Sequence, residues 1–307
     1  MKSIIVYFSQ TGCTKKIAQA IRVGMLQVME QCDIAALKEV NPHDLIGYDL
    51  IGLGSPIWFG KDPANVHGFI DGMPSLKGKH SFPFFTHGAL PSGFMQSVVP
   101  ALIGKGLTVI GFNDWYGSVI LPHLPKPYFT DGHPDKIDLK QAEDFGREMA
   151  ERSRRISLGE PHLIPILPKG REWEKLYGQQ EVLTKELADA HRMIQKQRKI
   201  NMENCTECSL CVDNCPMDSI DFSMFPPVFR NNCVACWFCE QICPTGAIEV
   251  DYGSLAKIHD NYAQNLLAKR LEVAEAKGRF RRLVKLEEIG WTSWYKQSGH
   301  PRYVIPR

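Results

Sequence analysis

Eight of the ten cysteines in this 307-residue chain fall between Cys205 and Cys243. They form two arms of identical spacing, Cys205-x2-Cys208-x2-Cys211-x3-Cys215-Pro216 and, 28 residues further on, Cys233-x2-Cys236-x2-Cys239-x3-Cys243-Pro244. A cubane of iron and sulfide needs four soft thiolates that converge from several directions, and a short C-x2-C-x2-C loop wraps three around one cluster. The fourth cysteine, ahead of a proline, points away and serves the other cluster. The spacing therefore predicts one [4Fe–4S] cluster held by Cys205, Cys208, Cys211 and Cys243, and a second held by Cys233, Cys236, Cys239 and Cys215. Two zinc sites would each use a pair of C-x2-C units and would leave the third and fourth cysteines of each arm unexplained. Trp237 and Phe238 lie between ligands and are read as packing that keeps water off the cluster.

The chain ahead of this module reads as alternating strands and helices. Strands are expected over Ser3–Phe8, Cys32–Leu37, Tyr48–Gly54, Phe82–Thr86 and Leu107–Phe112. A helix with Ile17, Ile21, Met25 and Val28 on one face follows the first strand. Others are expected around Phe94–Ile103 and Leu139–Ile156. This alternation means a parallel sheet covered on both faces, and five strands in about 155 residues suit the doubly wound order 2-1-3-4-5. Proline-containing 160–170 reads as a linker, Glu172–Ile200 as a charged helix, and Leu255–Glu288 as a second helical stretch. Trp291, Trp294 and Tyr295 then mark an aromatic, basic tail, read as a packing anchor.

Three loops leave the carboxyl edge of the predicted sheet, where ligands of such folds bind. Ser9-Gln10-Thr11-Gly12-Cys13-Thr14 is a phosphate cradle: Gly12 permits the tight turn, and hydroxyls and helix-start N–H groups meet phosphate oxygens at the positive end of the helix dipole. Gly54-Ser55-Pro56-Ile57-Trp58-Phe59-Gly60 supplies a ring, Trp58 or Phe59, to stack on a flat heterocycle. Thr86-His87-Gly88-Ala89-Leu90-Pro91-Ser92-Gly93 supplies backbone amides for its polar edge. No dinucleotide glycine fingerprint or Gly-Lys-Ser/Thr P-loop is present.

With these motifs the first 157 residues resemble the flavodoxin superfamily, and about fifty residues around the cysteines resemble bacterial two-cluster ferredoxins. The whole is similar to the flavodoxin–ferredoxin fusions of anaerobes. The resemblance implies FMN as cofactor beside the two [4Fe–4S] clusters, with Gly60 or its neighbour near the flavin N5. Cys13, and His87 in the third loop, depart from the usual pattern. His87, His123 and His133 come from segments at that edge, and His87 is the candidate catalytic group, a proton or hydrogen-bond donor beside the flavin. The expected domains are a flavodoxin-like FMN-binding domain (1–159), a linker and helix (160–200), a ferredoxin-like domain (201–252) and a helical basic extension (253–307).

The resulting expectation is a carrier that passes low-potential electrons between clusters and FMN. A redox partner protein, either a ferredoxin-like donor or an acceptor enzyme, would exchange them. Two alternatives stay open: an FMN-dependent reductase of a small substrate fed by its own clusters, and an iron–sulfur redox sensor. Residues 201–252 carry a net charge of −7 and residues 253–307 one of +6, while the chain totals only +2. That total gives no case for a nucleic-acid partner. No apolar run reaches the ~18 residues of a membrane span, and the cysteine usage suits a reducing compartment, so a cytoplasmic protein is expected. A homodimer is one way to bring clusters and flavin together.

Overall fold

The apolar run near the N-terminus forms β1 (Ser3–Tyr7), buried along nearly all its length, as a central strand covered on both faces must be. The protein is seen here as a computed structural model that describes every residue except 59, 90, 92, 178–184, 263–265, 291–292, 294–295, 297–298 and 306–307. It divides into two compact units: Met1–Ser118 with Gly132–Val182, and Val119–Asp131 with Leu183–Arg307.

In the first unit β1 pairs with β2 (Cys32–Ala36) and β3 (Leu50–Pro56), and β3 with β4 (His80–His87), all parallel. The strand expected over Leu107–Phe112 is divided into β5 (Thr108–Val109) and β6 (Asn113–Tyr116), which pair in parallel with the two ends of β4. The sheet order is β2-β1-β3-β4-β5, as expected. The break in the last strand includes Gly111, where a Cβ would lie 2.4 Å from Met149 Sδ.

Helix α1 (Cys13–Met25) buries Ile17, Ala18, Ile21 and Met25 against one face of the sheet. A short helix absent from the sequence reading, α2 (Ala64–Asp71), and α3 (Phe94–Gly104) cover the other face. Helix α4 (Lys136–Ser157) starts three residues earlier than its apolar pattern. Asp135 accepts from the N–H groups of Ile137 and Asp138, and Asp138 accepts in return from Asp135 N–H at 2.8 Å. This reciprocal cap satisfies donors that would otherwise be orphaned.

Of the helix expected from Glu172 to Ile200, 178–184 lie outside the described residues, and the described helix stops at Gln197, ahead of a short strand. Helix α5 (Glu172–Tyr177) stays with the first unit, where Trp173 is 3% exposed and packs 5.0 Å from Phe112. Helix α6 (Lys185–Gln197) belongs to the second unit and leads into β7 (Lys199–Ile200).

In that unit β7 pairs antiparallel with β10 (Ile248–Glu249), and β8 (Ile220–Asp221) with β9 (Val228–Phe229). Two short helices, α7 (Leu210–Asp213) and α8 (Phe238–Ile242), follow the cysteine loops. The last helical stretch is described as α9 (Gly253–Tyr262) and α10 (Ala268–Ala276), with 263–265 outside the described residues. Gly278, at φ 68°, turns the chain left-handed after α10 and ends it well before Glu288. Trp291, Trp294 and Tyr295 lie outside the described residues. Among those described, no helix is long and apolar enough to cross a membrane.

Val119–Asp131, between β6 and α4 in sequence, packs with the second unit. Leu121 joins an apolar cluster of Ala190, Ile194, Ala235, Trp237, Tyr252 and Leu255. Lys126 braces the segment by donating to Val119 O at 2.7 Å and pairing with Asp131 at 2.8 Å. The chain consequently passes between the units three times.

Candidate functional site

The duplication in the cysteine arms is also a duplication of backbone. Glu207 and Ser209, on either side of Cys208, have φ of 53° and 59°; Ala235 and Trp237, on either side of Cys236, have 53° and 58°. Asp218 and Gly246 are left-handed at matching positions. A left-handed non-glycine residue costs roughly 1–2 kcal/mol. Four in two short loops are worth holding only if the curl they impose is used, and here it turns successive sulfurs toward one centre. Behind each fourth cysteine an amide reaches the sulfur: Ser219 N–H donates to Cys215 Sγ, and Ala247 N–H to Cys243 Sγ, both at 3.2 Å. Such donors stabilise thiolate ligands and tune a cluster's potential.

Cys205, Cys208, Cys211 and Cys243 line one pocket together with Pro244 and Phe222. The Cys211 thiol is pushed up to about 11, first by burial and next by the adjacent Cys243 and Cys208. Burial pushes the Cys239 thiol well above the ordinary range, and Cys236 next to it adds to this. Sulfurs this crowded lose most of that penalty when bound to iron, so the donor set fits the cluster. The convergence of Cys243 with the first arm is what the crossed ligation of the two arms requires. Arg230 N–H donates to Ser219 O at 2.7 Å and Asn232 Nδ2 to Met217 O at 2.7 Å, which holds the turn after Cys215 against the second arm. Trp237 and Phe238 are 1% and 4% exposed.

In the first unit the three loops meet at the carboxyl edge of the sheet. Gly12, at φ 91°, stands at the cap position of α1, no side chain caps that end, and the first turn contains no acidic residue. An anion suits such a helix start. The hydroxyls of Thr14 and Thr86 are 2.8 Å apart and buried, joining the first loop to the third. Ile57 N–H donates to Thr86 O at 2.9 Å and joins the second. Ser55 is fully buried and donates to Pro56 O at 2.8 Å. Trp58 and Lys61 exchange backbone hydrogen bonds of 3.0 and 3.1 Å around Gly60, whose φ is 75°. The Trp58 ring meets Phe8 edge-on at 5.2 Å. Gly88 and Ala89 are half-buried, and Gly93, at φ 96°, opens α3. Ser9, Gln10 and Thr11 are half-buried in the first loop, while Phe59, Leu90 and Ser92 lie outside the described residues.

His87 ends β4 and points to the face opposite Thr86, as alternation along a strand demands. Its side chain is 1% exposed, Nε2 lies 3.0 Å from Asp114 Oδ2, and the ring is 4.4 Å from that of Tyr116. Among the described residues, its buried Nδ1 has no hydrogen-bond partner. An orphaned ring nitrogen costs on the order of 1–3 kcal/mol unless a ligand meets it, so the edge fits a heterocycle with polar atoms on its rim. Cys13 Sγ lies 3.8 Å from the carbonyls of Ser118 and His133, where it fills the loop. His133 pairs with buried Asp138 at 2.5 Å. His123, grouped with these residues in the sequence, lies instead in the second unit, its ring 5.8 Å from His191 and 5.9 Å from Tyr252. Asp114 and Tyr116 escaped the sequence reading, because only the register of β6 on β4 sets them beside His87.

A parallel sheet with a phosphate loop, joined to a doubled cysteine module, defines an iron–sulfur flavoprotein of the electron-carrier class. Comparison with known proteins agrees. The flavodoxin domain family matches residues 4–91, and the 4Fe-4S binding domain family matches twice, at 198–221 and 226–249. An uncharacterized protein of Methanocaldococcus jannaschii is 31% identical over 163 residues, which cover 48% of this chain and 98% of that protein. A flavodoxin of Aquifex aeolicus is 24% identical over 49% of this chain and 85% of its own length. Among solved structures, a flavodoxin from the domain Archaea is 21% identical, covering 50% of this chain and 99% of its own, with a TM-score of 0.39. The chain belongs, over about half its length, to the family of the M. jannaschii relative, and it joins a flavodoxin domain to a 4Fe-4S ferredoxin domain, a flavodoxin–ferredoxin fusion. Its cofactors are FMN and two [4Fe–4S] clusters.

Proposed function

We propose that the protein passes low-potential electrons between its clusters and its FMN within one chain, and exchanges them with a redox partner protein. The observation that carries this reading is the threefold passage of the chain between the units. Two units tied in this way meet at a high effective concentration. When bound, the clusters supply single electrons and the flavin handles them singly or in pairs. The chain's own part is to seat the phosphate on the start of α1 with Thr11 and Thr14, and to hold Trp58 and His87 against the heterocycle. It also supplies Cys205, Cys208, Cys211 and Cys243 to the first cluster, and Cys233, Cys236, Cys239 and Cys215 to the second.

Single-turnover absorbance tests the reading. With the clusters reduced first, their bleach is expected to reverse as the flavin spectrum changes, at a rate independent of protein concentration. A rate that rises linearly with concentration, in a monomer, defeats it. The seat of the phosphate has a separate check. Thr11→Ala with Thr14→Ala is expected to release FMN on gel filtration, with iron content unchanged. Full flavin retention removes the loop from the site.

A second reading, reduction of a small substrate at the flavin, draws on His87. Its Nε2 is held by Asp114 and, among the described residues, nothing bonds its Nδ1, the arrangement of a ring positioned to deliver a proton. His87→Gln separates the two readings. It is expected to slow reduction of a small acceptor at least tenfold if His87 supplies the proton, and to leave cluster-to-flavin transfer near its original rate.

A further inference from the structure

The two cysteine arms share their spacing but not their surroundings. The first reads Cys205-Thr-Glu-Cys208-Ser-Leu-Cys211 and the second Cys233-Val-Ala-Cys236-Trp-Phe-Cys239. Cys208 is exposed, whereas Ala235, Trp237 and Phe238 are buried. A buried cluster is the harder one to reduce, because the added electron increases negative charge in a medium that solvates it poorly. Against that disadvantage stands a cation. Arg198, immediately after α6, is 8% exposed, and its Nη1 donates to Cys233 Sγ at 3.0 Å. Its guanidinium lies 3.7 Å from the centre of the Phe229 ring, and Gln195 anchors the same turn by donating to Cys233 O at 3.0 Å. Among the described residues, no Arg or Lys hydrogen-bonds to Cys205, Cys208 or Cys211.

We infer that Arg198 sets the reduction potential of the second cluster, raising it by stabilising the reduced state through Cys233. The inference rests on the placement of Cys233 in that cluster. Reduction adds one electron and breaks no bond, so a guanidinium against a ligand sulfur favours the reduced form by charge alone. Among the described residues the first cluster has no such partner, and the pair is therefore unequal.

Redox titration of the holoprotein, followed by electron paramagnetic resonance, tests this. The wild type is expected to show two one-electron waves. In Arg198→Gln one wave moves to lower potential, its reduction constant falling about tenfold (~59 mV for a one-electron couple), while the other stays. Arg198→Lys, which keeps the charge, is expected to restore most of the shift. Unmoved waves at full iron content overturn the inference, as does an equal shift of both. Loss of iron in both variants also overturns it, since Arg198 would then be a brace for the loop. A wild-type protein lacking eight iron atoms would instead overturn the two-cluster reading itself.

Discussion

Cys215→Ser is expected to destroy the second cluster and spare the first, although Cys215 follows Cys205, Cys208 and Cys211 in sequence. Iron and acid-labile sulfide should fall from about eight of each to about four. Cys243 meets Cys211 and Cys208 in one pocket, so the first set is complete without Cys215. Pairs of substitutions make the test sharp. Cys215→Ser with Cys239→Ser removes two ligands of one cluster and should lose no more iron than either change alone. Cys215→Ser with Cys208→Ser strikes both clusters and should leave the protein nearly free of iron. This is the non-additivity expected of residues that share a site. The opposite pattern would mean that each arm ligates its own cluster.

Gly146→Val is expected to unfold the first unit or bring it close to unfolding. Helices α1 and α4 touch through their backbones: a Cβ at Gly146 would lie 2.0 Å from Ile21 O, and one at Gly24 1.8 Å from Glu143 O. Neither carbonyl belongs to a flexible side chain, so the helices would have to separate along the buried faces of both. Overpacking of this kind costs about 1–3 kcal/mol for small insertions and more for a branched side chain. Even Gly146→Ala should lose stability, because relief of the ~1 kcal/mol helix penalty of glycine does not offset a backbone clash. Since the phosphate loop runs into the start of α1, FMN retention should fall with the melting temperature, while iron stays. A Gly146→Ala protein as stable as wild type would show that the helix contact is loose.

Much of the fold was legible because its signals are local. Strand and helix periods, Gly12 at the turn and the spacing of eight cysteines each lie within a few residues, and together they indicated the sheet order and the cluster loops. The helix expected across Glu172–Ile200 ends early, at Gln197, for a related reason. A polar helical pattern reports propensity, but Lys199 and Ile200 are drawn into a strand by pairing with Glu249 and Ile248, about fifty residues away. His123 packs within the second unit although the stretches on either side of Val119–Asp131 belong to the first, and Leu121, two residues before it, joins the cluster that contains Trp237 and Tyr252.

The sequence by itself determined the chemistry: thiolates at this spacing select iron–sulfur clusters, and a strand–loop–helix with these hydroxyls selects a phosphate. Tertiary structure alone decided which groups surround that chemistry. His87 meets Asp114 and Tyr116 only through strand register, Arg198 reaches Cys233 across 35 residues, and Gly24 faces Glu143 across 119. Such pairs leave no periodic trace in the chain, because they form only when separate elements pack and exclude water.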